Sequence, residues 1–183
     1  MEETYVTIIG ILLGVVIMFI FPLILLSESS DNISELLIQT ATAEFVDEVI
    51  KTGKITDEDY RKYTSQMATT GNTYDIDIEL KILDKNTAKV LTESNQTELG
   101  NNTYYSIFTS QIEEMIGVSA NSNTRNGEGE IVLKQGDAIS ITVKNSSKTM
   151  SQTLKSFFSG QSGNGVQIIA ATASGTVAIN GTR

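Results

Sequence analysis

Val6 to Leu26, VTIIGILLGVVIMFIFPLILL, is a run of 21 residues with no charge and a single hydroxyl. At about 1.5 Å rise per residue, a helix of this length spans roughly 31 Å, close to the hydrocarbon thickness of a bilayer. A helix buried in a soluble core rarely needs so long a run, or an apolar surface on every side. The run is therefore a membrane segment, or a segment that ends in a comparably apolar place.

Gly10 and Gly14 give a G-x-x-x-G spacing, which lets a second helix approach closely because no side chain intervenes. Ordinary glycine use in a lipid-facing helix produces the same pattern. Leu12 and Val16 stand beside these glycines as candidate packing positions. Pro22 is the only proline. Its missing N–H leaves the Met18 carbonyl without its usual donor, so a kink or local melting is expected over residues 18 to 22. Neighbouring helices can restore such a loss in a membrane.

A cleaved secretory signal is not expected. No Lys or Arg precedes Lys51, and the apolar run exceeds the usual h-region. Glu2 and Glu3 lie before the run, and Glu28 and Asp31 after it, so basic flanks do not orient the segment. Two explanations fit: a basic leader has already been removed, or a dedicated pathway inserts the helix.

After this segment enough chain remains for one globular domain with its own core. A formal net charge of −9 argues against nucleic acid or an anionic membrane surface as a partner. The absence of Cys and His excludes disulfides and thiol catalysis, and removes the commonest general base and metal ligand. No Ser-x-x-Lys stands at a strand-to-helix elbow. Gly160, Gly163 and Gly165 read as a linker, because no Lys-Ser/Thr follows to make a phosphate loop. A structural protein with no cofactor and no catalytic residues is the expectation. Asn-x-Ser/Thr sequons occur at Asn32, Asn95, Asn101, Asn145 and Asn180, as chance allows in a chain rich in these residues.

Apolar positions Ile33, Leu36, Leu37, Ala41, Phe45, Val46, Val49 and Ile50 repeat at helical period. They predict an amphipathic helix from Asn32 to Lys51, open to continuity with the apolar segment and stopped by Gly53. Leu36, Leu37, Phe45 and Val49 are its candidate packing residues, against its own domain or against neighbouring subunits. Thr56 and Asp59 form a capping box for a helix over Asp57 to Ala68, whose face is Tyr60, Tyr63 and Met67.

The period then changes to two. Tyr74 to Leu83 alternates Ile76, Ile78, Leu80 and Ile82 with Asp75, Asp77, Glu79 and Lys81, which predicts a half-buried strand. Its carboxylates sit nearly 7 Å apart along a strand, so a solvated face explains them better than a calcium site.

Further strands are expected at Ala88 to Leu91, Val166 to Ala171 and Thr176 to Ile179. Ser94 to Thr103 and Ser119 to Gly129 read as loops. Helices are expected over Tyr104 to Ile116 and Thr149 to Ser159. Glu130 to Lys134 and Ala138 to Lys144 read as a hairpin about Gln135-Gly136-Asp137. The order predicts an α+β fold, with helices on one face of an antiparallel sheet. Residues 1–30 would be the transmembrane or filament-core helix, 31–53 the amphipathic stalk, and 54–183 the head.

An apolar helix with Gly14 midway and Pro22 eight residues later, leading into an amphipathic helix and an α+β head, resembles the type IV pilin superfamily. TGKITDEDYRKYTSQMATTGNTYDIDIEL also looks like a stretch of tight-adherence minor-pilin-like proteins of Gram-positive bacteria. Such pilins usually carry a glutamate where this chain has Tyr5; Glu2 or Glu3 is the candidate to pair with a neighbour's terminal amine. The resemblance implies self-assembly into a helical filament at the cell surface, by way of the membrane and with other pilin-like subunits as further partners. A membrane-anchored scaffold of a secretion or conjugation machine is the alternative.

Overall fold

The computed structural model describes residues 2–84, 103–117, 129–159 and 169–181. One helix dominates: α1 runs unbroken from Glu2 to Thr52, 51 residues, so the apolar and amphipathic segments are one rod. Pro22 lies inside it. The helical backbone persists across residues 18 to 22 without the expected melting, because the loss of one donor is local and the flanking turns remain bonded. Gly53 ends the rod in a left-handed conformation, φ +65°, with its N–H bonded to the Val49 carbonyl at 2.8 Å.

The elements that follow are β1 (Lys54–Thr56), α2 (Asp57–Ala68), β2 (Tyr74–Asp84), β3 (Thr103–Phe108), α3 (Thr109–Ile116), β4 (Glu130–Val132), β5 (Ala138–Asn145), α4 (Met150–Ser159) and β6 (Ala170–Thr176). The main sheet is antiparallel throughout, in the order β3-β2-β5-β6; β1 and β4 form a separate antiparallel pair. Ile107, Leu80, Ile139 and Gly175 make one row across the main sheet. Ile78, Leu80, Ile139, Ile141 and Val143 are buried on one face, with Ile38, Phe45 and Val49 of α1 and Ile112 and Ile116 of α3 in the same core. Asp75, Asp77 and Lys81 are exposed on the other. The fold is α+β, as expected.

Small residues let the rod dock on the sheet. A side chain on Gly175 would collide with Ile50, and β6 as a whole, AATASGT, carries nothing bulky. This corrects the sequence reading, which expected two strands with Ser174-Gly175 between them. One strand passes through that dipeptide, and Val177 to Gly181 follow as an irregular tail.

Two further expectations are corrected. Tyr104 to Ile116 is not one helix: its first residues pair with β2 as β3, and helix begins only at Thr109. The Thr109 hydroxyl accepts the Ile78 N–H at 2.7 Å, tying the change of structure to the neighbouring strand. Glu130 to Lys144 is not a hairpin either. The turn at Gln135-Gly136 forms, but β4 pairs with β1 while β5 joins β2 and β6. The reason is Leu133, whose N–H bonds the Gly53 carbonyl and whose carbonyl accepts from Gly181. The expected features at Ala88 to Leu91 and Gly160 to Gly165, and most of the two expected loops, lie outside the described residues.

Asp137 joins three parts of the head. It is 2% exposed, and its carboxylate oxygens accept the Leu83 N–H at 2.8 Å and the Lys134 N–H at 2.7 Å. Its carbonyl accepts the Val177 N–H at 2.7 Å. Removing the carboxylate leaves two part-buried donors without their acceptor, so Asp137→Ala is expected to cost about 1–3 kcal/mol. Gly53 meets Gly181 so closely that a Cβ on Gly53 would lie 2.6 Å from the Gly181 nitrogen. With its positive φ added, Gly53→Ala is expected to cost about 1–3 kcal/mol. Urea unfolding of the full chain in detergent checks both, and an unchanged midpoint for either variant would contradict the assigned contact.

Candidate membrane and assembly interface

Every large apolar side chain from Tyr5 to Leu26 is exposed, except the half-buried Ile20 and Ile24. Among the described residues, no part of the head buries this stretch. Burial of a large apolar side chain contributes about 1.5–3 kcal/mol, so a row of them standing in water would be strongly unfavourable. The surface therefore requires an apolar environment beyond the described residues.

Gly10 and Gly14 face open space, where nothing lies within 4 Å of a Cβ added at either position. Leu12 is 64% and Val16 43% exposed, on the same rod as Pro22. The structure thus presents all five as a surface, with no partner helix among the described residues. Glu2 and Glu3 belong to the first turn of α1.

The stalk positions divide. Phe45 and Val49 are buried in the head, together with Ile38 and Ala41, whereas Leu36 is 65% exposed and Leu37 half-buried. Ile33, Leu36, Leu37 and Thr40 of α1 face Gln66 and Thr69 of α2 across a groove of about 430 Å³. The single stripe read from the sequence is two faces: one enters the core, and the other continues the exposed apolar surface past residue 30.

Side chains on α1 and α2 fix the upper half of the rod. Phe45 stacks on Tyr63 with ring centroids 4.7 Å apart and planes 10° from parallel, and Thr42 bonds the Tyr63 hydroxyl at 3.1 Å. Thr56 caps α2 as expected, its hydroxyl accepting the Asp59 N–H at 3.1 Å; the Asp59 carboxylate, expected on a backbone N–H, accepts the Thr56 hydroxyl at 2.6 Å. Tyr60 donates its hydroxyl to Glu113 at 2.6 Å, which ties α2 to α3. Burial, then the hydrogen bond and charge of Glu113, push the Tyr60 phenol far above its ordinary range; burial raises Tyr63, although its bond to Thr42 opposes this.

Two contacts missed by the sequence reading hold the rod near its midpoint. Asp31, 4% exposed, accepts the Thr149 hydroxyl at 2.7 Å, and Glu28 pairs with Lys155. An acid on the inward face of an amphipathic helix is the signal that could have revealed Asp31. Thr149 also caps α4, accepting the Gln152 N–H while its own N–H donates to the Gln152 side chain. The helical spacing of Met150, Phe157 and Phe158 is real, but all three side chains are exposed.

Comparison with protein-family models, curated proteins and solved structures finds no match. A long N-terminal apolar helix followed by an antiparallel-sheet head is nonetheless a pilin-like architecture. It is also that of a membrane-anchored subunit.

Because burial keeps both phenols neutral, the folded chain holds protons that the unfolded chain releases above about pH 10. The stabilisation is fully present below that pH and is lost as pH rises toward the raised folded-state values. Spectrophotometric titration with parallel urea unfolding should show stability falling above about pH 10, and Tyr60→Phe should shallow that fall. An alkaline profile identical in the variant would contradict the assignment.

Proposed function

We propose that this chain is a structural, pilin-like subunit of an extracellular filament. It waits in the membrane on its apolar helix and assembles through that helix with the acidic head outward. The observation that carries this reading is the continuity of α1: one rigid helix is a core element of the head at one end and an uncovered apolar surface at the other. A flexible tether would suffice to anchor a domain, whereas a rod continuous with the head fixes the angle between head and filament axis. Fixed geometry is what repetition requires, because a heterologous contact repeated along an axis gives an open helical assembly.

Within such a filament, apolar helices would replace lipid contacts by contacts with one another, a change driven by close packing and not by removal from water, since lipid tails are as apolar as the side chains. Gly10 and Gly14 would permit close approach between rods, and Leu12 and Val16 would fill the seam. The groove beside Leu36 and Leu37 would receive part of a neighbouring rod. Glu2 or Glu3 would pair with a neighbour's terminal amine. The role is not catalytic, and no cofactor or nucleic acid is required; other pilin-like subunits could share the filament.

Negative-stain electron microscopy and mass spectrometry of material sheared from producing cells test the reading. Filaments composed of this chain are expected. Leu12→Asp or Val16→Asp should reduce them at least about tenfold, since one carboxylate buried among apolar helices costs several kcal/mol. The head of each variant should unfold at the same urea concentration as the parent. Undiminished filaments in the variants, or recovery of the parent only from detergent-extracted membranes, would contradict assembly through the helix and favour the anchored scaffold.

A further inference from the structure

The exposed aromatic end of α4 lies where the apolar half of α1 meets its polar half. Phe157 is 78% and Phe158 46% exposed, their rings in edge contact at 5.1 Å, and Met150 on the same helix is 69% exposed. Neither phenylalanine is needed by the core.

The position of α4 follows from its bonds to α1. At the far end of the head, the Ala178 N–H donates to Ile50 of α1. Lys144 is paired with Ala170, at the opposite end of β6. Thr149 then reaches Asp31, and Lys155 reaches Glu28. From Lys144 to Lys155 the chain therefore descends along the rod toward Leu26, where the apolar run ends. Phe157 and Phe158 continue in that direction, to about the level of that boundary at 1.5 Å per residue.

Charge along the sequence has the same polarity. The net charge of −9 conceals a division: every Asp and Glu lies at or before Asp137, and beyond it stand Lys144, Lys148, Lys155 and Arg183. Lys144 and Lys148 are exposed, and Lys155 offsets Glu28, an acid at the apolar boundary. Lys144 stands opposite Asp75 across β2 and β5 and Lys155 offsets Glu28, so this end of an otherwise acidic head carries lysines that balance its acids, and it repels an anionic surface less than the rest of the head does.

We propose that α4 is an interfacial anchor that inserts Phe157 and Phe158 into the headgroup–acyl boundary of the membrane holding α1, with Lys144 and Lys148 toward anionic headgroups. The proposal rests on the membrane state of the proposed function. Two features favour lipid over a second copy of the chain: continuity with the exposed span of α1, and the combination of aromatic side chains with lysines, which suits the interface between hydrocarbon and headgroups. The anchor holds the waiting subunit by a second point, and its release accompanies assembly.

The chain has no tryptophan, so Phe157→Trp supplies a single reporter. The full chain is reconstituted in phosphatidylglycerol–phosphatidylcholine vesicles carrying lipids brominated at shallow or deep acyl positions. Shallow bromines are expected to lower its emission by about half, since interfacial helices sit roughly 5–10 Å into the boundary. Phe19→Trp, in the span, should be quenched most by deep bromines, and Tyr104→Trp, at the far end of the sheet, by neither. Quenching at Phe19→Trp without quenching at Phe157→Trp overturns the anchor and leaves the membrane reading standing. Quenching at neither overturns both. Emission at Phe157→Trp that is unquenched by lipid, but shielded from acrylamide in sheared filaments, assigns the aromatic face to a second copy and likewise overturns the anchor.

Discussion

The packing of α1 against the small residues of β6 is the contact on which the rest of the structure depends. A helix can lie this close to a sheet only where the facing strand carries little bulk; Gly175 supplies that surface opposite Val46 and Ile50, and Ala171 and Ala173 lie in the same core. Once the rod is seated there, β5 places Ile139, Ile141 and Val143 in the same layer, and β2 adds Ile78 and Leu80. α2 then closes over the rod through the Phe45–Tyr63 stack. The head is built around the end of a helix whose beginning is made for another environment.

Elements governed by their own residues were legible in the sequence. The apolar span, the Gly53 stop, the Thr56 cap and the alternation of β2 all arise from period, capping and backbone freedom. Elements decided by distant partners were not. Tyr104 to Phe108 carry apolar and aromatic residues that suit either a short strand or the start of a helix, and pairing with β2 selects the strand. Likewise the middle of β6 has little strand propensity of its own; closeness to α1 selects its alanines and glycine, and a sequence reading sees two strands broken at Ser174-Gly175. The separation of β4 from β5 depends on Leu133 meeting Gly53 and Gly181, residues far from it in the chain.

The exposure of the candidate packing residues was legible in a similar way. Gly10, Leu12, Gly14 and Val16 are exposed on an uncovered rod, as an external packing surface requires. Two of the four stalk residues instead serve the head, because the helical period identifies an apolar stripe without saying what it faces. The contacts from Glu28 and Asp31 to α4 could not be foreseen, since they join residues more than a hundred positions apart.

The attachment of the head at both ends of its share of α1 has a mechanical consequence. Gly53 and Gly181 clasp the far end, while Asp31 and Glu28 are held by α4 at the near end. Between these points the rod is splinted and cannot bend without deforming the core. Bending compliance is thus concentrated in the stretch before Glu28, which contains the one turn deprived of a donor by Pro22. The head and its share of the rod therefore keep one geometry from copy to copy, and any adjustment to neighbours falls on the turns around Pro22.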